Sequence, residues 1–140
     1  KASEARWKAG TPLGIVDGVP TTIKDLAEVK GWPVRRGSKT SDPDFRSATD
    51  SPFVARLRDH GAVFMGKTTT PEYGWKGVTD SPLTGITRNP WNPEKTPGGS
   101  SGGAAVATAL GMGALNQGTD GGGSIRIPAA YSGILSRMPP

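Results

Sequence analysis

The sequence predicts an α/β fold, and three observations carry that prediction. A helical pattern over residues 51–60 passes through a single glycine, Gly61, into an apolar extended run, Ala62-Val-Phe-Met-Gly66. Helix followed closely by strand is the alternation of layered α/β domains. A second helix-and-strand unit follows over residues 103–119, and 21 glycines with 13 prolines among 140 residues supply the turns that short alternating elements need. No Gly-X-Y period is present, which excludes collagen, and the apolar runs are too regular for a disordered chain. A chain of this length is sized for one core.

Taken in order, residues 1–12 are polar and read as a lead-in to a core segment over 13–136. Leu13-Gly-Ile-Val-Asp-Gly-Val-Pro-Thr-Thr-Ile-Lys-Asp25 is β-branched and broken by Gly and Pro, the pattern of two short strands. Residues 31–50 read as turn and loop. Asp50-Ser51-Pro52 then places an N-cap residue and an early proline before Phe53, Val54 and Leu57, opening an amphipathic helix that stops at Gly61. Residues 62–66 read as a buried strand. The stretch 68–97 holds Pro71, Pro82, Pro90, Pro93 and Pro97 with Tyr73, Trp75 and Trp91, a long ordered loop of the kind that often carries function. From Pro97 to Ser136 only Asp120 and Arg126 are charged, a composition expected of an interior. Within it, residues 103–111 read as a helix of small side chains and 114–119 as a strand. Asp120 to Tyr131 reads as a glycine turn entering a second helix.

Composition removes several chemistries. Without cysteine there is no disulfide framework, thiolate zinc site or cysteine nucleophile. The single histidine, His60, would have to serve any Ser-His-Asp mechanism, and multi-histidine metal sites are impossible. The net charge of +5 comes from bases interleaved with acids, Arg35-Arg36 with Lys39 being the longest cluster, so a nucleic-acid partner is not expected. No apolar run has the length of a membrane span, and the N-terminus lacks a signal peptide's apolar stretch. A soluble, cytoplasmic protein is expected, and the absent initiator Met points to a fragment or a trimmed start.

Two glycine-serine turns bracket the 103–119 unit. Gly98-Gly-Ser-Ser-Gly-Gly103 fits G-x-S-x-G twice, centred on Ser100 or Ser101, the outline of an α/β-hydrolase nucleophile elbow. That reading fails on its partners, because no histidine follows Ser101. Gly121-Gly-Gly-Ser124 puts a hydroxyl and consecutive backbone N–H groups at a helix start, where an anion is stabilised. Phosphate is the competing anion, yet neither turn is followed by Lys-Ser or Lys-Thr, and neither supplies G-x-G-x-x-G. Tight turns with capping serines are the plain alternative for each. A serine nucleophile without histidine needs another base, and lysine is the usual substitute. Lys24, ending the Thr-Thr-Ile run, is the best placed, although a solvated edge lysine is the plainer reading of it alone.

Four blocks then resemble the amidase signature family: Gly18-Val-Pro-Thr-Thr-Ile-Lys-Asp25; Thr69-Thr-Pro-Glu-Tyr73 continuing to Arg88-Asn-Pro-Trp-Asn92; Gly98 to Gly103; and Gly118-Thr-Asp-Gly-Gly-Gly-Ser-Ile-Arg-Ile-Pro-Ala129. Their order and separations match as well. The resemblance implies a mixed β-sheet covered by helices, of which this chain holds about the first third. It implies a Ser-Ser-Lys triad in which Ser124 is the nucleophile, Lys24 the base, and Ser100, in a cis peptide, the proton carrier between them. Backbone N–H groups of Gly121, Gly122, Gly123 and Ser124 would form the oxyanion hole. Ser101 would cap its helix and support the site, and Asp120 with Arg126 would hold the glycine turn. Tyr73 and Trp75 would line the acyl pocket or pack in the core.

The implied reaction hydrolyses a small-molecule amide through a Ser124 ester, with no metal or organic cofactor and no nucleic-acid or membrane partner. It requires Lys24 neutral, so an amine of ordinary pKa about 10.4 must fall toward about 7–8 by desolvation. The resemblance also admits an amidotransferase subunit that releases ammonia from glutamine for a partner. A noncatalytic anion-binding module or an inactive fragment is the reading from another class. After Ile134 the chain reads Leu-Ser-Arg-Met-Pro-Pro where the family continues with a Gly-Leu-Lys-Pro-like segment. Exposed sheet edges and apolar faces are expected to be covered by the remainder of the domain or by a second copy.

Overall fold

The structure, a computed structural model, describes residues 1–138; the Pro139-Pro140 end of the divergent tail lies outside the described residues. Its centre is a three-stranded parallel sheet of β1 (Pro20–Lys24), β2 (Val63–Thr68) and β5 (Leu115–Asn116), in the order β2-β1-β5. The antiparallel pairing lies apart, in a hairpin of β3 (Asp80–Ser81) and β4 (Gly85–Ile86) within the long loop. Being the middle strand, β1 is buried from Thr21 to Lys24, which accounts for Thr-Thr-Ile-Lys reading as a continuous strand without alternation.

Helix α2 (Pro52–Asp59) matches the expected helix, with Pro52 in its first turn and Gly61 at φ 84° ending it. Ser51 holds the N-cap position without capping; its hydroxyl accepts from the Glu28 N–H at 2.9 Å instead. Val54 packs into a core with Ile23, Ala27 and Val29, edged by Trp32, Phe53, Leu57 and Phe64. Trp32 and Phe64 meet edge to face at 6.4 Å, and the Arg58 guanidinium lies 5.0 Å over the Phe64 ring.

Several expectations need correction. The expected buried strand over 62–66 is the sheet edge, with Val63 and Met65 exposed. A register shift between Thr21 and Thr22 passes over Met65 and brings Lys24 opposite Thr68. Residues 13–25 yield one strand rather than two, because the stretch before it turns at Gly18 (φ 84°). The polar lead-in contains helix α1 (Ala2–Lys8), with no buried residue, docked by Arg6 on Asp17 at 2.7 and 2.6 Å and by Trp7 Nε1 on the Asp17 carbonyl at 2.9 Å.

The charge-poor stretch is interior on one side only. Helix α3 (Gly102–Ala109) buries Gly102, Ala104, Ala105 and Ala107, and helix α4 (Arg126–Ser132) buries Pro128, Ala129 and Ser132. Leu110, Met112, Tyr131 and Leu135 face outward. Among the described residues no helix is long and apolar enough to cross a membrane.

Candidate active site

Lys24 ends the middle strand and its side chain is fully buried. Its backbone N–H donates to Gln117 Oε1 at 3.1 Å. Its amine donates to Ser100 Oγ at 2.6 Å, Ser101 Oγ at 2.9 Å and Thr119 Oγ1 at 2.9 Å. All three acceptors are neutral hydroxyls, so an ammonium gains hydrogen bonds but no contact carboxylate. Burial accordingly pushes the Lys24 pKa from 10.5 down to about 8, opposed only by the attraction of Asp120. The expectation of a desolvated lysine at this position describes its surroundings.

Ser100 is buried, and the peptide joining it to Gly99 is cis. Glycine is required before it: a Cβ on Gly99 would stand 2.8 Å from the Val78 carbonyl oxygen. Ser101 begins α3 but makes no side-chain cap bond. Its hydroxyl is occupied otherwise, accepting from Lys24 and from the Thr119 N–H at 3.2 Å and donating to the Thr119 carbonyl at 3.2 Å. The capping role expected of Ser101 is therefore replaced by a place in the amine's cage.

Ser124 lies on the turn before α4, half-buried. Its carbonyl accepts the Ser101 N–H at 3.1 Å, tying the two glycine-serine turns together. Its hydroxyl makes no hydrogen bond among the described residues, so the structure joins Lys24 to Ser100 directly and brings Ser124 beside them by its backbone.

Asp120 organises that turn. Its buried carboxylate accepts the N–H of Gly123 at 2.6 Å, Ile125 at 3.1 Å and Arg126 at 3.3 Å, and a two-pronged Arg126 guanidinium at 3.0 Å on each oxygen. Arg126 and the backbone donors hold this carboxyl well below the usual carboxylate range. The Gly123 N–H, expected in the oxyanion hole, is instead committed to Asp120. The N–H groups of Gly121, Gly122 and Ser124 donate to nothing else among the described residues, and both glycines are exposed.

Two contributors went unnoticed in the sequence, Thr119 and Gln117. Thr119 stands inside the Gly118-Thr-Asp120 block, so its position was visible though its contact with the amine was not. Tyr73 and Trp75 are exposed, Trp75 by 90 %, which rules out core packing for either. Gly74 between them faces the site, since a Cβ there would lie 3.6 Å from Ser100 Oγ. His60 follows α2 at the opposite end of the parallel strands, with its ring against Gly14. No group of three or more His, Asp or Glu side chains is gathered as a metal site among the described residues.

The family described as Amidase matches residues 1–135. The chain is 42 % identical over 138 residues to an indoleacetamide hydrolase of Bradyrhizobium diazoefficiens, covering 99 % of this chain and 26 % of that protein. It is 42 % identical over 139 residues to a glutamyl-tRNA(Gln) amidotransferase subunit of Acidothermus cellulolyticus, covering 99 % and 27 %. A solved bacterial aryl acylamidase of the amidase signature enzymes superposes with a TM-score of 0.81 at 42 % identity, covering 92 % of this chain and 27 % of that one. The chain spans about a quarter of the length of the curated relatives it matches.

Proposed function

The chain belongs to the amidase family, and from that premise we propose that its site hydrolyses a carboxylic amide through a serine ester. Neutral Lys24 accepts the Ser100 proton while Ser100 takes the proton of Ser124. The Ser124 oxygen then bonds to the amide carbon, and the carbonyl π pair moves onto oxygen. In this reading the uncommitted N–H groups of Gly121, Gly122 and Ser124 receive that oxyanion. The proton returns from Lys24 through Ser100 to the nitrogen, the C–N bond breaks, and ammonia or an amine leaves. Water, deprotonated by the same pair, cleaves the Ser124 ester and restores the hydroxyl.

One observation carries this reading: an amine buried among hydroxyls, with no contact carboxylate, 2.6 Å from Ser100. Such a group surrenders its proton near pH 8, well below where a solvated lysine does. Hydrogen bonds of a resting site are often incomplete, and the Ser100 to Ser124 leg is the one that substrate must close.

The test is a fluorophosphonate probe applied to the protein as its gene encodes it, with the adduct mapped by mass spectrometry. Label on Ser124, absent from Ser124→Ala and slowed by about 10³ or more in Lys24→Ala, is expected. Label elsewhere would refute the assignment. Similarity to an amidotransferase subunit supports a second reading, in which the same chemistry serves a partner. Glutamine turnover that appears only with partner subunits distinguishes it from turnover of simple amides by the protein alone.

A further inference from the structure

Helix α4 is seven residues long and the turn bearing Ser124 leads directly into it, so whatever holds α4 also places Ser124. One distant segment grips it. Asn89, buried, donates from Nδ2 to the Tyr131 carbonyl at 2.9 Å, and Trp91 donates from Nε1 to the Ser132 carbonyl at 2.7 Å. Last-turn carbonyls are among those a helix cannot satisfy internally. Asn89 also closes its own loop. Nδ2 reaches the Thr96 carbonyl at 3.3 Å, Oδ1 accepts the Trp91 N–H at 3.0 Å, and the Asn89 N–H donates to the Lys95 carbonyl at 3.0 Å.

The segment then runs back along the helix. At Gly98, with φ +80°, a Cβ would stand 3.0 Å from Ile127 Cγ2 and 3.1 Å from Pro128 Cα, and Gly99 and Ser100 follow at once. A single stretch of chain therefore touches the last turn of α4, touches its first turn, and ends in Ser100. Trp91 is 67 % exposed, so its indole contributes little burial. What it supplies is a directed N–H.

We propose that Asn89 and Trp91 are positioning residues: by clamping the C-terminal end of α4 to the segment that ends in Ser100, they set the separation of the Ser100 and Ser124 hydroxyls. This rests on Ser124 being the attacking group. Misplacement of reacting groups by about 1 Å can cost about 10²-fold in rate, whereas loss of one exposed helix-end bond alone changes stability only modestly.

The experiment compares wild type with Trp91→Phe, which removes the N–H and keeps an aromatic ring, in the protein as its gene encodes it. The readouts are the rate of Ser124 labelling by a fluorophosphonate, kcat and KM for a small amide, and Tm. Trp91→Phe is expected to slow labelling and kcat by about tenfold, with KM unchanged and Tm lowered by about 2 °C. Should that variant not fold, Asn89→Asp is measured in the same way, because it keeps the acceptor for the Trp91 N–H and loses both Nδ2 donors. Wild-type labelling rates in a folded variant whose Tm has fallen would overturn the proposal and leave a plain helix cap. Failure of wild type itself to label at Ser124 would instead remove the functional reading, and the clamp with it.

Discussion

At the Lys24 amine, three N–H bonds of an ammonium find three hydroxyl oxygens, from Ser100, Ser101 and Thr119. Deprotonation leaves two N–H donors and a lone pair, so one hydroxyl must reverse and donate. Ser100, with the shortest contact, is the natural one to do so. The expected acylation rate rises with pH up to about 8 and is flat above, because only the neutral amine accepts a proton; a pH profile of labelling checks this. Thr119→Val removes one acceptor while keeping the site dry, which penalises the charged form further. Its profile is expected to shift toward lower pH, and an unmoved or raised midpoint would count against the cage. Stability follows by linkage. Between about 8 and 10.5 the unfolded chain holds the Lys24 proton and the folded chain does not, so wild type gains stability relative to Lys24→Met as pH rises through that window, read by denaturant titration at both ends. Lys24 could be picked from the sequence because it ends the strand-like Thr-Thr-Ile run, whereas most other lysines lie in polar, loop-like stretches. Thr119 could not, since a threonine beside a glycine turn has no local feature that reveals a partner 95 positions away.

Among the elements, α3 is set by the smallness of its side chains. A Cβ on Gly103 would collide with the Thr69 backbone nitrogen and stand 2.7 Å from its oxygen, neither of which can step aside cheaply. Gly103→Ala is expected to destabilise by about 1–3 kcal/mol, measured by urea unfolding. On the α4 turn the buried carboxylate matters more than the exposed guanidinium that pairs with it, since Asp120 also serves three backbone donors. Asp120→Asn should lower Tm more than Arg126→Ala does, and the reverse order would show that the ion pair dominates. The carboxyl's lowered pKa means that its contribution is present at neutral pH and is lost on acidification. Helix α2 was legible because Pro52, the spacing of Phe53, Val54 and Leu57, and Gly61 all agree. Helix α1 was not, because a carboxylate outside it, Asp17, fixes it in place. The strand read over 62–66 was right in kind, short of the observed Val63–Thr68 and wrongly taken as interior, since hydrophobicity reports what a residue prefers and not whether the described chain supplies its cover.

For the molecule as a whole, exposed apolar surface is the main feature. Ile15, Trp75 and Leu135 are each at least 90 % exposed, and β2 and β5 offer unpaired backbone along both edges of the sheet. Cavities of 380 and 720 Å³ are lined by neither Lys24, Ser100 nor Ser124. The 140-residue chain alone is expected to self-associate at micromolar concentration, seen by light scattering; a monodisperse monomer would show that these faces need no partner. Fold class and the four ordered blocks were readable because each is local, whereas the substrate wall involves surfaces that local sequence does not describe. The amine's partners lie 76 to 95 positions downstream of it. While a ribosome extends this chain, Lys24 is made before any of them, and Ser124, the nucleophile of the proposed mechanism, is the last of the set to emerge. Under the proposed mechanism the lysine's pKa is lowered only once those long-range contacts close, so that reactivity would arrive with folding and not before it.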